Sequence, residues 1–405
     1  MSAEAAGREG DRPHALIAGA GIGGLAAALR LAQAGWRVSL YDRAPVLAEV
    51  GAGLQLSPNA TRVLRRLGAL PALRGAALEP EAVRIRRARD GASLAVMPLG
   101  DAEARWGAPY LLAHRADLQR ALLDAVATAE GVRLSTGVAV EGFEARPDGV
   151  LARLRKGESR FAAEGDCLVA ADGSRSLLRG EMFGAGAQAL AMSRRTAWRA
   201  LVAADRAPAF ALRPDASLWL GPRAHLVHYP LRGRSVVNVV AIVAGDETPD
   251  VGPFWSNDAD ARELLRRFAG WSRPALELLE AASGWRKWRL HDRAPLPRWT
   301  SGRVALLGDA AHPVLPFLAQ GAAQAIEDAD ALGDALEGAA PVETALEAYQ
   351  TRRIARASRV QKESRAQERI YHLSGPAAAL RDLGLGAFGA RLLAKYEWLY
   401  GQARP

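Results

Sequence analysis

Apolar and polar positions along this chain fall into blocks whose period changes. Residues 14–42 begin with the apolar run HALIAG, pass through AGIGGLAAALRLAQAG and close on WRVSLYD. That order predicts a buried strand, a tight glycine turn, an amphipathic helix and a second strand. Gly35 stands where a helix-ending glycine belongs. Helices are also predicted over 57–70 (SPNATRVLRRLGAL) and 115–131 (RADLQRALLDAVATAEG), the second stopped by Gly131. From Val132 to Ala171 the pattern shortens to strands, with Pro147-Asp148-Gly149 as a hairpin turn. Residues 190–245 read as strand throughout, 258–282 as helix and 342–372 as one long helix. Near residue 303 a short apolar strand, Val304 to Leu307, stops at Gly308-Asp309. A proline-broken loop then leads to a helix start near Ala319-Gln320-Gly321 that carries no charge.

Strand–helix–strand units therefore flank a β-rich middle. The expected fold class is α/β: a Rossmann-like domain with an inserted β-sheet domain, followed by C-terminal helices. The expected bounds are 1–80, 109–185 and 290–335 for the discontinuous Rossmann-like domain. The inserted sheet takes 81–108 and 186–289, and the C-terminal helical segment 336–405.

Composition narrows the class. A chain of 405 residues exceeds what one core organises, and 49% hydrophobic with 24% charged residues can bury a large interior. The net charge of +9 comes from 53 Lys+Arg against 44 Asp+Glu, but the cations are dispersed and no nucleic-acid module accompanies them. Small anionic ligands suit that balance better than nucleic acid. One cysteine, Cys167, excludes an intramolecular disulfide framework and a cysteine zinc cluster. The polar N-terminus has no apolar signal core, and the apolar stretch 15–29 is short for a span and dense in glycine. A cytoplasmic protein without a membrane partner is expected. The run 350–369 carries seven cations among glutamates and reads as a solvated helix face, and the same long helix offers a surface for a homodimer.

Candidate chemistry begins with Gly19-x-Gly21-x-x-Gly24, placed after a strand and opening a helix. The first glycine permits the turn, the second lets backbone approach a pyrophosphate, and the third allows close helix–strand packing. Ile22 and Gly23 complete this loop. Asp42 closes the next strand 18 residues after Gly24, with Arg43 beside it, and is placed to accept hydrogen bonds from ribose hydroxyls. NAD and FAD both use such a unit. Two further motifs, DCLVAADGSRSLLR at 166–179 and GRVALLGDAAHP at 302–313, go beyond it. Together the three resemble the fingerprints of the single-component FAD-dependent aromatic hydroxylases, the para-hydroxybenzoate hydroxylase-like group that includes salicylate hydroxylase. Asp172-Gly173, Ser176 and Arg179 match the second fingerprint. Gly308-Asp309 match the pair whose carboxylate binds the ribityl chain. Arg115 matches the family's arginine at the ribityl and phosphate region. The resemblance spans nearly the whole chain.

What the resemblance implies is specific. FAD would extend across residues 19–53, 115, 172 and 309–321, with Glu49, Gly51 and Gly53 near it. Pro313 and Pro316 would stiffen the loop beside the flavin ring. The helix start at Ala319, Gln320, Gly321 and Ala322 would face the ring's pyrimidine edge, where negative charge gathers on reduction. NADH or NADPH would serve as a transient co-substrate without a fold of its own. O2 would yield a flavin C4a-hydroperoxide that hydroxylates a small phenolic or N-heteroaromatic acid. A phenol reacts far better as phenolate, so a base is expected. His225 and Tyr229, four apart on a strand, share a face. They resemble the His-x-x-x-Tyr pair of 3-hydroxybenzoate 6-hydroxylase and 6-hydroxynicotinate 3-monooxygenase, with His225 as base. His228 points to the other face, so a His-x-x-His metal site is not expected, nor is any metal. His312 is expected beside the flavin in a structural role, and Phe317 as an apolar residue lining the substrate. Two alternatives remain at this level. One is the same flavin chemistry on a larger apolar substrate such as a polyketide, quinone or antibiotic. The other is a flavin-binding protein without catalysis.

Overall fold

A computed structural model describes residues 12–47, 53–187, 191–245 and 259–401. Glu49 and Gly51 lie outside the described residues. The apolar runs His14–Ala18, Cys167–Ala170 and Val304–Leu306 lie side by side as parallel strands. Their continuous burial explains why they show no alternation: parallel strands are covered on both faces. Arg37–Asp42 and Val132–Thr136 extend the sheet on one side, and Thr300–Ser301 folds back antiparallel on the other. The helix Ile22–Gln33 buries Leu25, Leu29 and Leu31, each contributing roughly 1.5–3 kcal/mol. It packs against the helix Gly321–Leu336 so closely that a Cβ at Gly333 would lie 2.1 Å from Arg30 Cγ. The Pro147-Asp148-Gly149 turn joins two strands of a separate three-stranded meander, Ala139–Ala145, Val150–Lys156 and Ser159–Gly165.

The β-rich middle forms a second, seven-stranded sheet. Its order is Ser283–Asp292, Ala191–Ala203, Val236–Ala244, Ala224–Leu231, Asp215–Gly221, Ala82–Arg87 and Ser93–Pro98. One face buries a tryptophan-rich core of Trp198, Trp219, Trp271 and Trp285 beneath two short helices. The other face looks toward the parallel sheet's loops. Among the described residues no helix is long and apolar enough to cross a membrane.

Several elements differ from expectation. The 57–70 segment is a helix, Pro58–Arg66, that ends before Gly68 (φ +76°), and a second helix runs Leu70–Ala76. The 258–282 block likewise splits into Ala261–Arg267 and Arg273–Ala281 around Gly270 (φ +84°). The 190–245 stretch is interrupted by short helical turns at Ala209–Leu212 and Arg232–Arg234. The long helix runs Val342–Tyr371, but its cation run is not a solvated face throughout. Arg353 is 3% exposed and reaches Asp328 at 2.7 Å and Glu327 at 2.5 Å, and Arg356 joins Glu327 at 2.6 Å. The partner carboxylates come from the neighbouring helix, which a local charge pattern does not reveal.

Candidate active site

Three neighbouring strands of the parallel sheet end at one edge, and the loops leaving them carry the three motifs. Gly19 (φ +101°) turns the chain, and its N–H donates to the Tyr41 carbonyl at 2.7 Å. A Cβ at Gly24 would stand 1.8 Å from the Gly19 oxygen, and one at Gly23 2.7 Å from Leu307 Cδ2. Backbone and side chain leave no room there for anything but glycine. At Gly21 a Cβ would meet nothing within 4 Å, so open space lies before the helix N-terminus. Asp42 Oδ2 accepts the Ala20 N–H at 2.7 Å and Oδ1 the Ala44 N–H at 2.8 Å. The carboxylate therefore braces the glycine turn, and each oxygen keeps a second lone pair. Arg43 is exposed.

Asp172 Oδ2 accepts the backbone N–H of Leu177 at 3.0 Å, capping the helix Leu177–Phe183 together with the Ser176 hydroxyl. Burial raises its carboxyl, and Oδ1 is buried without a partner among the described residues. Gly173 takes φ +82° in the same loop. Arg179, fully buried, donates to three carbonyls: Ser174 at 2.7 Å, Ala187 at 2.9 Å and Ala310 at 2.7 Å. It thereby ties the second motif to the third. Burial lowers its pKa to about 10, which still leaves it cationic at neutral pH. Gly308 (φ +62°) opens the third motif, and its N–H donates to Asp328 Oδ2 at 2.9 Å. His312 Nε2 meets the same oxygen at 2.5 Å, so His312 anchors the turn. The Asp309 side chain is exposed to the cleft yet ringed by protein. That desolvation raises its carboxyl, against the pull of His312 and Arg115. The carboxylate makes no hydrogen bond among the described residues.

Beside the third of these loops lies an open-mouthed cavity of about 90 Å³. The strand Ala224–Leu231 sends His225, Val227 and Tyr229 to this side and Leu226 and His228 to the tryptophan core. His228 sits against Phe210 and Trp219, where burial lowers it to about 3. His225 lines the cavity. Its Nδ1 lies 2.8 Å from Nε2 of His372, and Phe317 and Tyr371 flank its ring at 5.4 Å each. Burial, helped by His372 and Arg195, holds its pKa well below the usual histidine range. A neutral imidazole results, with a lone pair to offer. The lining includes His225, Val227 and Phe317 but not Tyr229. Tyr229 stands behind Gly53, where a Cβ would fall 2.5 Å from its Cε2, and the Gly53 N–H donates to Asn238 Oδ1 at 2.8 Å.

The loop beside the cavity is pinned to the long helix. The carbonyls of Pro313, Leu315 and Phe317 accept from Gln361 at 3.0 Å, Ser364 at 2.6 Å and Tyr371 at 3.3 Å. After Pro316 the chain passes through Ala319 in the left-handed region (φ +53°), a strained conformation for a residue with a Cβ. Gly321–Leu336 then starts from Gln320 with no capping side chain and no acid in its first turn. The Gln320 amide turns away, donating to Ser57 Oγ at 2.8 Å and accepting from Asn59 at 3.1 Å.

Residues 12–364 match a protein family described as an FAD binding domain. The chain belongs to that family. A 3-amino-4-hydroxybenzoate 2-monooxygenase from Streptomyces platensis is 42% identical over 400 residues, 97% of each chain. A 3-hydroxybenzoate 6-hydroxylase from Polaromonas naphthalenivorans (strain CJ2) is 36% identical over 389 residues, 95% of each. Klebsiella pneumoniae HpxO complexed with FAD and uric acid shares the fold with a TM-score of 0.81, at 27% identity over 93% of each chain. The protein is thus an FAD-dependent aromatic monooxygenase that uses NAD(P)H and O2, with the α/β fold expected from its sequence.

The residues of this flavoprotein fit FAD. Open space at Gly21 and at Gly321, where an added Cβ would again meet nothing within 4 Å, forms a cradle along the backbone. The helix N-termini at Ile22 and at Gly321–Ala322 present N–H groups with no protein anion in the first turn. Asp172 Oδ1 and the Asp309 carboxylate remain available to hydroxyl donors. The sequence did not mark Tyr110, Tyr371, His372, Tyr396 and Tyr400, of which all but His372 line the cavity, and it set Gln55 only within the stretch 49–60 expected along the flavin ring. The aromatic segment KYEWLYG at 395–401 supplies Tyr396 and Tyr400. No spacing rule connects residues 55, 110 and 371–400.

Proposed function

We propose that the protein hydroxylates a small phenolic or N-heteroaromatic acid, with His225 taking the proton from the ring hydroxyl. The observation that carries this is a buried, neutral imidazole in the wall of an aromatic-lined cavity, beside the loop that runs into an uncapped helix. Bound FAD, reduced by NADH or NADPH, supplies the activated oxygen. The Nδ1 of His225 is engaged by His372, which leaves Nε2 for the substrate. Tyr229 is kept neutral by burial and backs the wall at Gly53. Phe317, Val227 and Tyr371 exclude water from the ring. Tyr110 donates to Gln55 Oε1 at 2.9 Å, which frees the Gln55 amide N–H groups for a substrate carboxylate. In this reading, 1–80, 109–185 and 290–335 hold the flavin, 81–108 and 186–289 the substrate, and 336–405 closes the cavity.

A second reading has one observation in its favour: none of the described lining residues carries a formal charge. On that reading the substrate is a neutral, more apolar phenol. FAD-loaded enzyme should be assayed for NADH and NADPH oxidation with hydroxybenzoates, hydroxynicotinates and neutral phenols of matching size. Product and hydrogen peroxide are measured together to separate hydroxylation from uncoupled turnover. Stimulation by the acids with coupled product is expected. Coupled turnover with neutral phenols alone would replace the first reading by the second, and no stimulation by any aromatic would remove both.

A further inference from the structure

His372 is a buried titratable group that the reading above uses only as the partner of His225 Nδ1. It caps the C-terminus of Val342–Tyr371, far in sequence from the strand that carries His225, yet the two rings lie 5.0 Å apart at 36°. We propose that His372 is a positioning and relay residue for His225, fixing its tautomer and carrying the substrate proton away from the cavity. This rests on the reading of His225 as base.

Two neutral imidazoles joined by one N···N hydrogen bond of 2.8 Å share a single proton between them. With that proton on His225 Nδ1, its Nε2 is a bare lone pair and acts as base. With it on His372 Nε2, His225 carries its own proton on Nε2 and acts only as a donor. His372 therefore decides which chemistry His225 performs. Its Nδ1 is buried and has no hydrogen-bond partner among the described residues, so a proton carried there is held by no protein group. His372 also stands nearer the surface: 8% exposed against 2% for His225, with the exposed Ser374 and Gly375 just beyond.

The surroundings disfavour a lasting charge on either ring. Arg195, paired with Glu368 at 2.9 Å, and Arg381, paired with Asp382 at 2.8 Å, face the pair, and Tyr371 holds its hydroxyl on the Phe317 carbonyl. Burial and these cations lower both histidines, His372 to about 3. A relay avoids a resident imidazolium. The substrate O–H bond breaks as the N–H bond at His225 Nε2 forms. The His225 Nδ1–H passes to His372 Nε2, and His372 releases its Nδ1–H to water as its ring turns that buried nitrogen outward. The phenolate is left beside a neutral His225 that donates to it. Reprotonating the product oxygen from Nε2 runs the chain backward and resets both tautomers. No oxidant or reductant is required.

The test uses FAD-loaded enzyme. Histidine labelled with 15N reports the tautomer without any ligand: His225 protonated on Nδ1 is expected, and protonation on Nε2 in the wild type would overturn the assignment. Binding of 4-nitrophenol, whose phenolate absorbs at longer wavelength, is then followed against pH in wild type, His372→Gln, His372→Phe and His225→Ala. Gln keeps an acceptor for the Nδ1–H but cannot relay; Phe removes both functions. At neutral pH, Phe should show about tenfold less bound phenolate than wild type. Gln should retain most of the phenolate while slowing its formation. FAD content and melting temperature check that each variant is folded. If Phe matches wild type while His225→Ala loses the phenolate, the relay fails and the base survives. If His225→Ala also matches wild type, the base reading fails with it. A probe that does not bind the wild type leaves the tautomer measurement to decide the proposal.

Discussion

A methyl group added at Gly24 would stand 1.8 Å from the Gly19 carbonyl oxygen, whereas one at Gly21 would meet no protein atom within 4 Å. One motif therefore holds glycines for two reasons, and substitution separates them. Gly24→Ala forces backbone from backbone and should unfold the loop, read as a large drop in the melting temperature of the FAD-free protein. Gly21→Ala should leave that temperature nearly unchanged and weaken FAD binding by about tenfold, or ~1.4 kcal/mol, read by flavin fluorescence titration. Unchanged affinity in Gly21→Ala would remove the pyrophosphate from this loop. At the cavity, His225→Ala should lower kcat by roughly 10²–10⁴ with FAD content intact. A small-phenol turnover that survives the substitution would remove the base.

Between elements, the ion-paired seam of Glu327, Asp328, Arg353 and Arg356 fastens the helix Gly321–Leu336 to Val342–Tyr371. Burial works against the charge on both carboxylates, but Arg353, with Arg356 for Glu327 and His312 for Asp328, outweighs it and holds each at about 2. Carboxyls depressed below their unfolded values contribute stability above those values and lose it as pH falls. The protein should therefore lose stability between about pH 4.5 and 2, followed by urea unfolding across that range. Glu327→Gln should flatten the slope. Arg353→Met strands buried carboxylates and should cost ~3–5 kcal/mol at neutral pH; a loss below 1 kcal/mol would show the seam to be dispensable. This seam marks the limit of what local pattern discloses. The long helix and its length were legible, because 3.6-residue periodicity is written in neighbouring positions. The burial of Arg353 was not, since the carboxylates that neutralise it arrive from another helix by tertiary packing.

At the scale of the molecule, the cavity draws on residues from Gln55 to Tyr400. The three cofactor loops were legible because each is a local strand–turn unit; the cavity wall was not, because His225 meets Phe317, Tyr371 and His372 only after the chain closes. The strand Gly53–Leu56, paired with Leu111–His114 in a small two-stranded sheet, joins the seven-stranded sheet through the Gly53–Asn238 hydrogen bond. FAD at a hundred times its Kd should add ~2.7 kcal/mol, and calorimetry should show the sheets melting as one transition at higher temperature. Two transitions, with only one moved by FAD, would deny that coupling. Arg179 carries a different consequence. It grips the main-chain oxygens of Ser174, Ala187 and Ala310 rather than their side chains. The loops it clasps are therefore free to vary in side-chain identity so long as their peptide oxygens stay in place. In a saturation library, exposed loop positions near this clasp should accept many amino acids, while position 179 accepts arginine alone.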